Sequence, residues 1–519
     1  MDGRLDLLLL GSCAVLLVAV VAVRVAVRTG LPVLLLYLGL GLALGEAGLG
    51  IRFEDYRLTA DLGLIALALI LAEGGLTTRW PTVRPVLPFA VLLSTLGVAV
   101  SVLVVTVASE LLLGVDRRTA VLLAAVVSST DAAAVFSVLR RVPVRGHLRA
   151  VLEAESGIND APVVVLVVIA SSSAWESMNL WESAALIAFE LVAGTGLGLA
   201  IGFAGRWFLA RAALPSAGLY PIATLTICFV AYTATSVLHA SGFLAVYLCG
   251  VVLGNARLPH RRAVLGFASS TALLAEVGLF VLLGLLVSPG RLGGSIVDAL
   301  IVGAVATLVA RPLAVFVSAL PWRIPLRDGI FLSWAGLRGA VPVVLATIPV
   351  VQNLPGATKV VDVVFVLVVL YTLVQAPTLP LLARRLRLVE SDAPRELEVE
   401  SAPLDDLRAD LLQLVVRPGS RMHGTYVDEL RLPAGARLAL VVRTGHTVAI
   451  DGSTQLRHGD QVLIVAGAEV RVATEARLRA IAQGGSLASW RGEVPVVSGL
   501  QPRFRLSGRR RLHAGPDVG

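Results

Sequence analysis

Through the first three-quarters of the chain, long apolar runs alternate with short gaps that carry arginine, glycine or proline. A bilayer's hydrocarbon core is roughly 30 Å thick, so a helix needs about 20 apolar residues to cross it. Windows of that width predict about thirteen spans, near residues 5–28, 31–50, 59–78, 84–112, 117–139, 148–171, 183–210, 219–239, 241–256, 264–288, 294–320, 326–348 and 360–383. The second and ninth are short. The first has a thin basic start and no small-residue cleavage site before Arg24 and Arg28, so it reads as an uncleaved span rather than a secretory signal.

Beyond residue 388 the pattern changes. Residues 388–408 hold Glu390, Asp392, Glu396, Glu398, Glu400, Asp405 and Asp406 with few large apolar groups, which predicts a polar linker. Strands are predicted at 411–416, 436–442 and 461–465, with a hairpin turn at 443–446 and a short helix within 424–430. Residues 409–490 thus form a small α+β module. It contains no Gly-rich phosphate loop and no dinucleotide fingerprint, so a catalytic role and a bound cofactor have no support. The end of the chain, 491–519, with Arg509, Arg510 and Arg511, reads as a disordered basic tail. His446 and His458 have two readings, sensor groups or, by preference, exposed turn histidines.

Composition sharpens this picture. Of the 519 residues, 56% are hydrophobic and 15% charged, a balance that excludes an ordinary soluble domain. The net charge of +8 would suggest nucleic acid in a soluble protein; here it follows from the loops. With the N-terminus outside, the inner loops hold clusters such as Arg140, Arg141, Arg145 and Arg149, or Arg257, Arg261 and Arg262. Outer segments keep only Arg4, Arg52, Arg57, Arg117, Arg118, Arg291 and Lys359. That asymmetry follows the positive-inside rule and puts residues 388–519 in the cytoplasm. Cys13, Cys228 and Cys249 lie in apolar spans and read as packing residues rather than a disulfide framework or metal site.

Polar residues inside the spans carry the chemistry. The sixth span contains Glu155-Ser156-Gly157-Ile158-Asn159-Asp160. A carboxylate at the bilayer centre costs about 2.5–3.5 kcal/mol even on lenient scales, so a buried ion or proton site is the default reading. Ser156 and Asp160 share a helix face. The fifth span contains Ser128-Ser129-Thr130-Asp131 and the twelfth Gly336-Leu337-Arg338-Gly339-Ala340-Val341-Pro342. Two interrupted spans, one in each half, point to inverted repeats with the site at the midplane. Arg311 in the eleventh span and Glu73 in the third complete the set. Buried charges must pair, and spacing alone leaves open which acid meets which base. Asp131 has two readings, ion ligand or partner of a half-helix dipole. Asp160 is left without an evident permanent cation, so a proton and a small cation can compete for it.

These residues resemble a family. "SSTDAAAVFSVL" (128–139), "LEAESGIND" (152–160), "ARPLAV" (310–315) and "GLRGAVPVVLA" (336–346) together resemble monovalent cation/proton antiporters of the NhaP type, over residues 5–385. The stretch "RLPAGARLALVVRTGHTVAIDGSTQLRHGDQVLIVAG" (431–467) resembles the TrkA-C lobe of potassium-transport regulatory domains, without its nucleotide-binding partner lobe. The combination points to the potassium/proton antiporter subgroup. The resemblance implies an all-α polytopic fold of thirteen spans with two crossing broken helices, and a homodimer in which a core domain moves against a dimer domain. It also implies electroneutral exchange of one K+ or Na+ per proton, and a regulatory lobe that can take a small ligand.

By motif, the resemblance makes Asp160 the ion- and proton-binding carboxylate. It gives Thr130 and Ser156 a part in coordination and has Asn159 steady the site. It pairs Glu155 with Arg311 and Glu73 with Arg338. Many members read Thr-Asp-Pro where this chain has Thr130-Asp131-Ala132. A ligand-gated cation channel is the alternative, since such lobes also gate channels, but no carbonyl-filter repeat is present. A membrane sensor is the third reading. No nucleic acid is expected as a partner; membrane lipid is.

Overall fold

A computed structural model describes residues 2–485 except 30–31, 47, 52, 132–134, 136–137, 140–141, 143, 257, 323, 390–399, 405–408, 418 and 468. The predicted tail 491–519 lies outside the described residues, as do Arg140, Arg141 and part of the expected linker. The chain divides into two compact units, Met1–Val389 and Glu390–Gln501.

The first unit is helical. Its main elements are α1 (Asp2–Thr29), α2 (Val33–Leu44), α3 (Tyr56–Thr77), α4 (Leu87–Leu113), α5 (Arg117–Ser128), α6 (Gly146–Ser171), α7 (Leu180–Arg211), α8 (Leu219–Val237), α9 (Gly242–Gly254), α10 (Arg261–Leu286), α11 (Pro289–Ser318), α12 (Leu326–Trp334), α13 (Ala340–Val351) and α14 (Ala357–Arg385). Among the described residues, eight of these are long and apolar enough to cross a membrane, and shorter apolar helices accompany them. Local chemistry sets several starts. Asp55 and Asp116 accept the Leu58 and Thr119 amides at the heads of α3 and α5, and Asn179 with Glu182 forms a reciprocal capping box on α7.

Two helix groups emerge from the packing. In one, α3 lies against α9 and α10, α10 against α2, and α7 and α8 flank α9. Small residues let these backbones approach: a Cβ on Gly250 would fall 2.8 Å from the Ala72 carbonyl oxygen. In the other group α5, α6, α11, α13 and α14 surround one another with α4. The seam between the groups is lined by α6 and α13, where Ile158 and Ala161 pack with Leu244, Tyr247 and Val251 of α9.

The second group repeats a pattern. α4 carries a π-turn at Leu93–Gly97 and α11 one at Ala306–Ala310; each precedes an interrupted helix, and a long helix follows. π-turns of this kind mark places where a helix is re-aimed, often at functional sites. Sequence periodicity gave no sign of either.

The second unit is an antiparallel sheet of β1 (Glu400–Leu404), β2 (Ala409–Val415), β3 (Ala436–Arg443), β4 (His446–Val448) and β5 (Gln461–Gly467), ordered β1-β2-β5-β3-β4. The turn between β3 and β4 uses Thr444 and Gly445, both at positive φ, as a two-residue hairpin requires. Helix α15 (Arg471–Gly484) supplies Leu478 and Ile481 to a core with Leu412, Leu414, Val441, Val462 and Ile464. Val427–Leu430 is a single 3₁₀ turn.

Two details correct the expected boundaries. Residues 400–404, expected in the linker, form β1 because β2 offers an open edge to pair with. Leu388 and Val389, also expected in the linker, belong to the membrane unit; Leu388 is fully buried there.

Candidate ion-binding site

The fifth and twelfth spans are both broken. α5 ends at Ser128, Ser129 is extended, 130 and 131 are non-helical, and described residues 135, 138 and 139 are helical again. α12 ends at Trp334 and α13 begins at Ala340. The two non-helical stretches cross: the Asp131 amide donates to the Leu337 carbonyl at 2.9 Å. Gly339 is what permits this approach, because a Cβ there would overlap the Asp131 carboxylate.

Arg338 stands at the crossing, 3% exposed. Its guanidinium donates to the Ser128 carbonyl at 3.0 Å and the Ser129 carbonyl at 2.5 Å, and lies 5.9 Å from the Tyr371 ring centre. These are carbonyls that the end of α5 leaves without helical partners, and a cation suits the negative end of a helix dipole. The expected Glu73–Arg338 pair is therefore corrected. Arg338 is drawn to the broken helix, whereas Glu73, half-buried on α3, accepts from the Ser269 hydroxyl of α10 at 3.0 Å.

Glu155 is 1% exposed and Arg311 5%. The guanidinium forks onto the carboxylate, with Nη2 donating to Oε2 at 2.7 Å and Nη1 to Oε1. Arg311 opens the straight part of α11 directly after its π-turn. The π-turn of α4 contributes Ser94, whose hydroxyl donates to the Glu155 carbonyl at 3.1 Å. Asn159 Nδ2 donates to the Thr130 hydroxyl at 2.6 Å, and that hydroxyl donates on to Glu155 Oε1 at 3.4 Å. A chain of four side chains, Asn159–Thr130–Glu155–Arg311, thus joins α6 to the break in α5 and to α11.

Asp160 lies on the other side of the break. It is 5% exposed and accepts from the Ser129 hydroxyl at 2.5 Å; among the described residues it makes no ion pair. Side chains of an extended stretch alternate in direction. Accordingly Ser129 meets Asp160 while Thr130 meets Asn159 and Glu155. Asn159 Oδ1 is buried with no hydrogen-bond partner among the described residues, an acceptor oxygen one residue from the carboxylate. Pro162, inside α6, has no N–H for the Ile158 carbonyl, which frees another oxygen in the same turn. Ser156 is half-buried, one turn before Asp160. These are hard oxygen donors, suited to an alkali cation or a proton and unsuited to a soft metal.

Ser129 and Ser94 were not singled out from sequence. The alternation of an extended stretch was a usable signal for Ser129 once the break was recognised. Ser94 had none, since nothing local marks the π-turn that aims it.

Comparisons with known proteins bear on this arrangement. Residues 14–385 match the family described as sodium/hydrogen exchanger, transmembrane, and residues 411–476 match the TrkA-C domain. The K(+)/H(+) antiporter NhaP of Alkalimonas amylolytica is 34% identical over 472 residues, 89% of this chain and 81% of that protein. The K(+)/H(+) antiporter NhaP2 of Shewanella baltica is 34% identical over 450 residues, 85% of this chain and 77% of that one. Among solved structures, the sodium proton antiporter MjNhaP1 from Methanocaldococcus jannaschii superposes with a TM-score of 0.65. It covers 74% of this chain and 99% of its own at 22% identity, a likeness of fold.

Proposed function

The chain belongs to the sodium/hydrogen exchanger family, and from that membership we propose that it exchanges K+ or Na+ for H+ at the carboxylate of Asp160. It is a transporter, not an enzyme. The observation that carries the reading is the contrast between two buried acids. Glu155 is clamped by Arg311 and so holds a permanent charge partner; Asp160 is held by a neutral hydroxyl and, among the described residues, has no cationic partner. An acid in that position must take either a proton or a mobile cation when it is withdrawn from water, because an unpaired carboxylate at that depth is too costly. Exchange follows: the site faces one side with a proton and the other with a cation, and does not cross empty.

In this reading Asp160 binds both ions. Ser129, Ser156 and Asn159 Oδ1 supply neutral oxygens around it, Thr130 acts through the Asn159 side chain it holds, and Asp131 adds negative charge at the crossing. Glu155 with Arg311, and Arg338 on the Ser128 and Ser129 carbonyls, hold the frame. One titrating acid per site makes the exchange electroneutral, one cation per proton. A potassium preference is supported by the K(+)/H(+) relatives and by the TrkA-C match. The arginine asymmetry supports an outside N-terminus with the TrkA-C module in the cytoplasm, where it regulates exchange through a small ligand. A homodimer in the cell membrane completes the proposal.

The test uses purified protein in liposomes with an imposed pH gradient, reading an internal pH dye as potassium, sodium or lithium is added. Collapse of the gradient by a cation, lost in Asp160→Asn and indifferent to clamping the membrane potential, is the expected result. Potential-sensitive flux would overturn electroneutrality. Cation currents with no proton movement would replace exchange by a channel.

A further inference from the structure

α14 ends in an unusual way. Arg387 sits at φ +56°, a left-handed conformation. The Leu388 amide donates to the Ala383 carbonyl and the Arg387 amide to the Arg384 carbonyl, both at 3.0 Å. That pair of bonds is a Schellman ending, which is normally built on glycine. An arginine in its place costs about 1 kcal/mol, so neighbouring contacts must hold it. Fully buried Leu388 is one such contact. Others follow at once: Val389 pairs antiparallel with Val144, the Arg145 amide donates to the Leu388 carbonyl at 3.1 Å, and the Arg145 guanidinium reaches the Arg387 carbonyl at 3.5 Å.

Val144 and Arg145 immediately precede Gly146, the first residue of α6. Asp328, buried in the first turn of α12, collects the same neighbourhood. Its Oδ2 lies 3.0 Å from His147 Nε2, and its Oδ1 lies 3.7 Å from Arg145 Nη1. The end of α14 and the starts of α6 and α12 are thereby tied together. α6 carries Glu155, Asn159 and Asp160, and α12 leads to Arg338. Past Val389 the chain continues through residues 390–399 into β1 of the sheet module.

We propose that residues 386–389 are a positioning strap: seated on Val144 and Arg145 they hold α6 at the register in which Asp160 binds its cation, and their release loosens that register. The proposal rests on the exchange reading above and adds a positioning element remote from the ion site. The strain at Arg387 lowers the cost of release, as suits an element with two states. Asp328 opposes release by anchoring Arg145. Arg145 and Asp328 are positioning residues, acting on Asp160 through α6.

The experiment uses the full chain in liposomes. Arg145→Ala loosens the strap, and Val144→Cys with Val389→Cys, in a background with Cys13, Cys228 and Cys249 replaced by alanine, locks it on oxidation. Arg145→Ala is expected to raise the cation KM about fivefold, the lower end of ordinary coupling, with maximal rate held within about twofold. Oxidising the cross-link in the Arg145→Ala protein should restore the KM, and reduction should reverse the effect in the same sample, a cycle that misfolding cannot produce. Equal KM values in oxidised and reduced protein would overturn the strap while leaving exchange intact. If the unmodified protein moves no protons with any cation, the exchange reading falls instead.

Discussion

Removing one partner of the Glu155–Arg311 pair should damage the protein far more than removing both charges together. Both side chains are almost wholly withdrawn from solvent, at 1% and 6% exposure. Arg311→Met leaves a buried carboxylate whose remaining side-chain donor, among the described residues, is the Thr130 hydroxyl at 3.4 Å, a weak substitute for a bidentate guanidinium. Breaking a buried pair this way costs about 3–5 kcal/mol. The double variant Glu155→Gln with Arg311→Met removes the stranded charge. It keeps an amide that Thr130 can still reach, so its cost should be about 1–2 kcal/mol or less. A double-mutant cycle on detergent-solubilised protein, read by reversible unfolding, gives the coupling directly. The expected order of stability is native, then double variant, then Arg311→Met, with at least about 1 kcal/mol between the last two. Additive losses would refute the reasoning, because they would mean that neither charge depends on the other. Exchange by the double variant is a separate readout: it survives, weakened, if the pair is a frame around Asp160 rather than a carrier.

Three further outcomes follow from the geometry. Ser129→Ala removes the hydroxyl that supports ionised Asp160, so protons gain on cations; the cation KM should rise about tenfold at fixed pH and recover as pH is raised. A KM unchanged at every pH would remove Ser129 from the site. Gly339→Ala forces a methyl into the Asp131 carboxylate and spreads the crossing stretches, costing about 1–3 kcal/mol and most of the exchange rate; native-like flux would show the crossing to be compliant.

In the sheet module, burial alone would raise the Asp460 carboxyl, but hydrogen bonds from Arg443 and the Arg457 amide, with their charges, hold it below the ordinary value of 3.8. Its contribution to stability is therefore present above that value and is lost as pH falls through the lower folded one. Protection of the β5 amides, taken against the intrinsic exchange rate at each pH, should fall in acid, and Asp460→Asn should flatten that dependence; identical acid profiles would contradict it.

Much of the membrane unit was legible because lipid imposes a strict rule on local sequence. Helices must be long, apolar and internally bonded, so their approximate places can be read from windows alone. The breaks at Thr130 and Arg338 were legible for the complementary reason: polar and glycine-rich stretches at that depth have no other explanation. In the module, β2, β3 and β5 announced themselves by apolar runs. β1 did not, because Glu400–Leu404 is a strand only by virtue of the edge that β2 presents.

Residue identity by itself marked this chain for a membrane, set two carboxylates at depth in its sixth span, and showed that Glu155, Asp160, Arg311 and Arg338 belong to one problem. It did not determine who pairs with whom. Pairing depends on directions that arise only when helices cross: a π-turn aims Ser94, an extended stretch turns Ser129 and Thr130 to opposite sides, and the carbonyl end of α5 draws Arg338 away from Glu73. Burial makes a charge seek a partner, and sequence reveals that need. Three-dimensional proximity chooses the partner, because electrostatic and hydrogen-bond energies fall steeply with a few ångströms that no linear spacing encodes.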